Sequence, residues 1–323
     1  MRRVDFVSLL GGVPMLGLHA QAKSVAAPSV APGPVGTRRY EGAKLAIERL
    51  QQLDDASILP VCRTALYSHG RTTDVAVVLC HGFTNCPAQY ALMARELHRR
   101  GCNVLVPRYP EHGDVNRMTT RLEGLTAERL TSAASEAIDA ARGLGRRLVI
   151  SGLSLGGVIV TWLATQRADI DRVVALAPAF GLSHIPFPFS VFAAGVMRAM
   201  PWSKYAWWDS TLKEKITPMH AYPRFPIRAL GECYLIGELT ISAQAPLGGQ
   251  SRTEMIFALN PKDPAVNNDI TAQLSDYWNS NGMMRSTVAW MNEFPAMHDV
   301  IEPENPHECI ARCYPPLIDL ILG

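Results

Sequence analysis

An α/β fold with a mostly parallel central sheet, flanked by helices, is the architecture that this 323-residue chain points to. Three features carry that expectation. Short, uninterrupted apolar runs recur, as strands buried on both faces require. Between them lie stretches with the apolar spacing of amphipathic helices. The two kinds of segment alternate along most of the chain, the pattern of strand–helix–strand crossovers. With 48% hydrophobic and 19% charged residues, the composition excludes a disordered tail, and the length suffices for one large domain or two small ones.

The first 39 residues stand apart. Arg2 and Arg3 form a basic start, residues 6–18 (FVSLLGGVPMLGL) an apolar stretch too short to span a bilayer, and Ala20 and Ala22 a small-residue cleavage site. Residues 1–22 therefore read as an export signal, and the protein as periplasmic or secreted; without a signal it would be cytoplasmic. The arginine pair before Asp5 and Phe6 resembles a twin-arginine signal with its spacing one residue off, so the Sec route stays open. Residues 23–39, rich in Ala, Pro and Gly, read as a flexible lead-in. The folded part is expected to begin near Tyr40.

From there the elements follow in order. Residues 75–80 (VAVVLC) read as a fully buried strand that stops at His81-Gly82. Residues 87–100 carry helical spacing at Tyr90, Met93, Ala94 and Leu97, with Pro87 suited to a first turn and Gly101 to a stop. Residues 102–106 are the next strand, 125–144 a helix, 148–150 a short strand, 158–165 a helix and 172–177 a strand ended by Pro178. The alternation then breaks. Residues 180–226 hold six prolines and three tryptophans, Trp202, Trp207 and Trp208, which predicts an insertion rather than a crossover helix. Regularity resumes with a helix over 227–243, a strand over 254–259, a helix over 265–280, a strand over 286–291 and a closing helix over 304–322. The core is thus expected over 40–179 and 227–323.

Several function classes are excluded or left without support. A formal charge of +2 offers no basic stripe for nucleic acid. No apolar run reaches the roughly 18 residues of a membrane helix. Neither a phosphate-cradling loop nor a metal-ligand motif is visible, so no cofactor is implied. The seven cysteines, Cys62, Cys80, Cys86, Cys102, Cys233, Cys309 and Cys313, leave at least one unpaired within the chain. Export would allow one or two disulfides, with pairings the sequence does not reveal. Cys309 and Cys313, four apart on a helix, could be bridged only with strain.

The sharpest chemical signal is Gly152-Leu153-Ser154-Leu155-Gly156, followed by Gly157. It joins the strand at 148–150 to the helix that follows, the setting of a nucleophile elbow. Such a turn leaves no room for side chains beside the serine and lifts its hydroxyl to a helix N-terminus, where developing negative charge is favoured. His81-Gly82-Phe83 ends an earlier strand. The N–H groups of Phe83 and Leu155 are the candidate donors to an oxyanion, and His81 reads as a structural loop residue. In chain order the acid and base should come next. Asp263, just past the strand at 254–259, is the candidate carboxylate, although Asn260-Pro261-Lys262-Asp263-Pro264 also reads as an ordinary turn. Asp269 and Asp276 are weaker rivals inside the next helix. His298, between the last strand and the last helix, is the candidate general base, ranked above His307.

Taken together, these motifs resemble the α/β-hydrolase superfamily, and within it bacterial carboxylesterases and monoacylglycerol-lipase-like serine hydrolases. Pro107-Arg108-Tyr109-Pro110-Glu111-His112-Gly113 resembles the P-x-x-P-G-H-G loop of that group, with Glu111 in place of the first glycine. The resemblance spans residues 65–322. It implies the α/β-hydrolase fold, a Ser154–Asp263–His298 triad, Phe83 and Leu155 as oxyanion donors, no cofactor, and a lid formed by 180–226. Phe187, Phe189, Phe192, Trp202, Trp207 and Trp208 would supply apolar area for an acyl chain. The expected substrate is a small ester or lipid-like molecule. An amide, thioester or carbon–carbon bond is the alternative, since one fold hosts many chemistries. A non-catalytic binding protein would be expected to lack a nucleophile, base or oxyanion glycine, and none is missing here.

Overall fold

The computed structural model describes residues 39–183, 187–243 and 253–323. The export signal and the lead-in, apart from Arg39, lie outside the described residues. Arg39 is the extended N-cap of the first helix, α1 (Tyr40–Gln51).

Among the described residues, seven strands form the central sheet. In chain order they are β1 (Ala65–Tyr67), β2 (Thr73–Cys80), β3 (Asn103–Val106), β4 (Gly145–Leu153), β5 (Arg172–Leu176), β8 (Glu254–Leu259) and β9 (Ser286–Trp290). Their spatial order is β1-β3-β2-β4-β5-β8-β9, and only the edge pair β1–β3 is antiparallel. The short pair β6 (Tyr205–Trp207) and β7 (Arg224–Pro226) lies outside this sheet.

The apolar runs are explained by burial on both faces. Ala76, Val78 and Cys80 of β2 pack into one core with α1, α3 (Ala127–Ala141), α4 (Leu155–Gln166) and α7 (Asn268–Ser280). Val77 and Leu79 point the other way, into a second core with α2 (Ala91–Arg99) and α8 (His307–Leu322). A strand sandwiched in this way has no face left for polar residues. No helix of the described residues is long and apolar enough to cross a membrane.

Local chemistry moves several predicted boundaries. Residues 87–90 form a 3-10 turn before α2. Thr126 caps α3 by accepting from the Arg129 N–H, and Asn267 caps α7 by accepting from Asp269, so both helices start later than their apolar spacing suggests. The closing helix begins at His307 rather than 304, because Pro306 disfavours helical backbone at Asn305. Among the helices and strands described outside the expected insertion, α1 and the three-residue edge strand β1 escaped the sequence reading.

The segment expected as an insertion carries a regular helix after all. α5 (Phe187–Ala199) fits between Pro186 and Pro201, with Pro188 in its first turn, where a missing N–H costs nothing. It packs against α6 (Ile227–Ile241). The prolines here bound the helix instead of preventing it.

Candidate active site

The strand–turn–helix at β4–α4 is shaped by close approach. Ser154 sits between the two elements at φ +59° and ψ −115°, a backbone conformation side chains rarely adopt. A Cβ on Gly152 would lie 2.3 Å from the Gly156 carbonyl, and one on Gly156 would lie 1.9 Å from the Cys80 carbonyl oxygen. Glycine at both positions is thus a steric requirement. Hydrogen bonds hold the strained turn: the Ser154 N–H donates to Leu176 O, and Ser154 O accepts from the N–H groups of Val158 and Ala179.

The loops after β8 and β9 are stitched together. Asn260 donates its amide to the carbonyls of Pro295 and Met297, and the Lys262 ammonium donates to those of Asn292 and Phe294. This brings His298 Nδ1 to 2.8 Å from Asp263 Oδ2, with the Asp263 side chain fully buried. The other oxygen, Oδ1, accepts from the Ala265 N–H. Asp263 is therefore both the turn residue and the histidine's partner, and the two readings of its motif are compatible. Asp269 and Asp276 are exposed on α7, and His307 opens α8.

Ser154 and His298 line a common cavity of about 290 Å³, together with Phe83 and Leu155. Among the described residues, the backbone N–H groups of Phe83 and Leu155 donate to no protein acceptor. Buried donors are normally satisfied, so two free ones beside a serine leave capacity for a bound oxygen atom. The neighbouring Thr84 is held at φ +63°, unusual for a β-branched residue. Its hydroxyl donates to Phe83 O and accepts from the Trp208 indole, while its carbonyl accepts from the Tyr222 N–H. The inserted segment thus clasps the loop that presents Phe83.

His81 is the structural histidine its position suggested. It is fully buried, and its Nε2 accepts from the Tyr109 N–H while Nδ1 donates to Gly82 O. Burial holds it neutral, well below the ordinary imidazole range. Burial likewise pushes His112 down to about 4. Glu111, which stands where the resemblance expected glycine, adopts φ +66°. The loop keeps a left-handed conformation, with the Glu111 carboxylate paired to Arg129 at 2.6 Å.

Residues 77–311 match the alpha/beta hydrolase family. The chain belongs to that family. Its curated relatives include a thermostable monoacylglycerol lipase of Bacillus sp. (strain H-257), 26% identical over 126 residues. That alignment covers 39% of this chain and 49% of the lipase, so it spans about half of the relative's length. Among solved structures, a metagenome-derived lipolytic enzyme superposes with a TM-score of 0.60 at 20% identity, covering 81% of this chain and 99% of that one. A monoglyceride lipase from Saccharomyces cerevisiae gives 0.58 at 14% identity, over 80% and 90% of the two chains. At such identities the likeness is one of fold.

This alpha/beta hydrolase also holds features that sequence reasoning missed. Gln89 bridges two loops: its Oε1 accepts from the Gly82 N–H at 2.8 Å, and its Nε2 donates to Asp299 Oδ2 at 2.6 Å. Burial and the nearby Glu302 carboxylate push Asp299 up to about 6. Its position directly after His298 was the only signal available. A disulfide joins Cys62 to Cys86, in the same loop system as Phe83. Cys309 and Cys313 are both free, with sulfurs 3.9 Å apart. Of the six aromatics expected to meet an acyl chain, Trp208 lines the cavity. Phe189 and Phe192 are instead each 66% exposed, and Trp202 stacks under the Arg228 guanidinium. The α5 spacing turns Phe189 and Phe192 outward. The Phe187 side chain lies outside the described residues.

Proposed function

We propose that this alpha/beta hydrolase is a serine carboxylesterase for short- to medium-chain or monoacylglycerol-like esters. The observation that carries the reading is the His298–Asp263 hydrogen bond at 2.8 Å beside a strained Ser154 in one cavity. Ser154 Oγ attacks the ester carbonyl carbon as its proton passes to His298 Nε2. Asp263 fixes the imidazole by accepting from Nδ1 and stabilises its charged form. The carbonyl oxygen, now an alkoxide, takes the N–H groups of Phe83 and Leu155. When the intermediate collapses, His298 returns the proton to the departing alcohol. Water, deprotonated by the same histidine, then releases the acid and restores the serine.

Cavity size favours the smaller substrates. About 290 Å³ lies at the low end of small-molecule sites, which run from roughly 300 to 1,000 Å³. Leu182, Trp208, Leu230 and Tyr234 give it an apolar lining suited to a short acyl group. Residues 180–226 act as the lid in this reading, supported by the contacts of Trp208 and Tyr222 with Thr84. Residues 1–22 direct export. The Cys62–Cys86 disulfide supports that assignment, because such bonds persist in oxidising compartments.

The test is hydrolysis of a p-nitrophenyl ester series from acetate to palmitate by the wild type and by Ser154→Ala. Activity peaking at short or medium chains, and lost in the variant, is expected. A folded but inactive wild type would overturn the ester reading and direct attention to amides, thioesters and carbon–carbon bonds.

A further inference from the structure

His220, Glu302 and Glu304 are far apart in sequence, and none belongs to a recognisable motif. The fold brings them together beside the candidate active site. The His220 imidazole comes from the inserted segment, between the cavity-lining Pro218 and Ala221. The two carboxylates come from the loop that follows His298. His220 Nε2 lies 3.3 Å from Glu302 Oε2, and Nδ1 lies 3.9 Å from Glu304 Oε1. One donor atom from each residue falls within 4.8 Å of the other two.

Two further observations single out this cluster. The His220 side chain is only 10% exposed, yet its Nε2 is buried and makes no hydrogen bond, although it faces a carboxylate. The Glu302 side chain is 5% exposed, and its Oε1 is also buried and unpartnered. Buried polar atoms are seldom left in this state, and an ion is one of the recognised ways to satisfy them. Among the described residues no other trio of His, Cys, Asp or Glu brings its donor atoms within 4.8 Å of one another.

We propose that His220, Glu302 and Glu304 bind a divalent transition-metal ion of the zinc type. Imidazole nitrogen and carboxylate oxygen are both zinc donors, and three protein ligands leave a fourth position for water. Bonds of about 2.0–2.2 Å in a tetrahedral site put donors roughly 3.3–3.6 Å apart, a separation the His220–Glu302 pair already has at 3.3 Å, while Glu304 stands farther off, 3.9 Å from His220 Nδ1. The adjustment falls to Glu304, whose side chain is 52% exposed and free to swing inward. The ion would replace an imperfect histidine–carboxylate contact with three bonds. It would also tie the inserted segment to the loop carrying His298, so it acts on stability and on the cavity wall without touching the reacting atoms.

The full chain with its disulfide intact, free of chelator, is titrated with zinc chloride by calorimetry and thermal melting. The background is Cys309→Ser, which prevents capture of zinc by the adjacent thiols. Binding of about one equivalent is expected, with Tm raised by about 5 °C at a hundredfold excess over Kd. His220→Ala should abolish both effects, and so should Glu302→Gln, which preserves volume. Glu304→Gln should weaken binding at least tenfold. Absence of saturable binding, or binding undiminished in either His220→Ala or Glu302→Gln, would overturn the proposal. These readouts do not depend on ester hydrolysis, so the two readings can fail separately.

Discussion

Replacing Gly156 with alanine tests how tightly the serine turn is pressed against the sheet. The added Cβ would meet Cys80 O at 1.9 Å, Cys80 C at 2.7 Å and His81 O at 2.9 Å. Relief to an ordinary contact near 3.4 Å needs roughly 1.5 Å of movement, because a close-packed interior has no slack to absorb it. All three atoms are backbone, and Cys80 is registered opposite Gly152 in the β2–β4 ladder. No side chain can rotate away. Overpacking ordinarily costs about 1–3 kcal/mol, and a backbone obstacle places this site at about 3 kcal/mol or above. The control is Gly195→Ala in α5, where no atom lies within 4 Å of the new methyl. Helix propensity alone should make that variant about 0.5–1 kcal/mol more stable. The same chemical change should thus have opposite signs at the two positions. Urea unfolding followed by circular dichroism measures both. A Gly156→Ala protein within about 0.5 kcal/mol of the wild type, the error expected of a neutral surface change, would refute the steric argument.

Three other outcomes follow from the site and its surroundings. Asp263→Asn should lower kcat by about 10³- to 10⁴-fold with little change in KM, since the amide cannot hold His298 in the required tautomer; steady-state kinetics check this. Burial and the Glu302 carboxylate push Asp299 up to about 6, above its ordinary 3.8, so the native state favours the protonated acid. Its burden on stability is absent below about pH 4, grows as pH rises and is complete above about pH 6. Asp299→Asn should therefore raise the urea midpoint relative to wild type at pH 8 and give little gain at pH 4. Opening the Cys62–Cys86 disulfide, which closes a separation of 24 residues, should cost about 3–4 kcal/mol by loop entropy. Cys62→Ser and mild reductant should lower Tm alike.

What the sequence disclosed follows from which interactions are local. The strand Glu254–Leu259 was legible because burial on both faces leaves an unbroken apolar run. The serine turn was legible because its glycines are forced by contacts within and beside a single strand–turn–helix unit. The pairing of Asp263 with His298 could be inferred from chain order, while its 2.8 Å geometry depends on Asn260 and Lys262 bridging two loops. β1 left no trace because three half-buried residues make too short a pattern. α5 was hidden by prolines that flank it and occupy its first turn. The Gly82–Gln89–Asp299 bridge and the His220–Glu302–Glu304 cluster join residues distant in sequence, with no spacing rule to announce them.

The central claim is that Ser154 is the nucleophile activated by His298. A fluorophosphonate probe reacts with such a serine to leave a stable phosphonyl ester, and mass spectrometry of the digested protein locates it. The peptide containing Ser154 should carry the added mass at stoichiometric yield. Ser154→Ala should remain unlabelled, and His298→Ala should label at least a hundredfold more slowly. A folded, ester-hydrolysing protein that stays unlabelled at Ser154, or is labelled at another residue, would contradict the account.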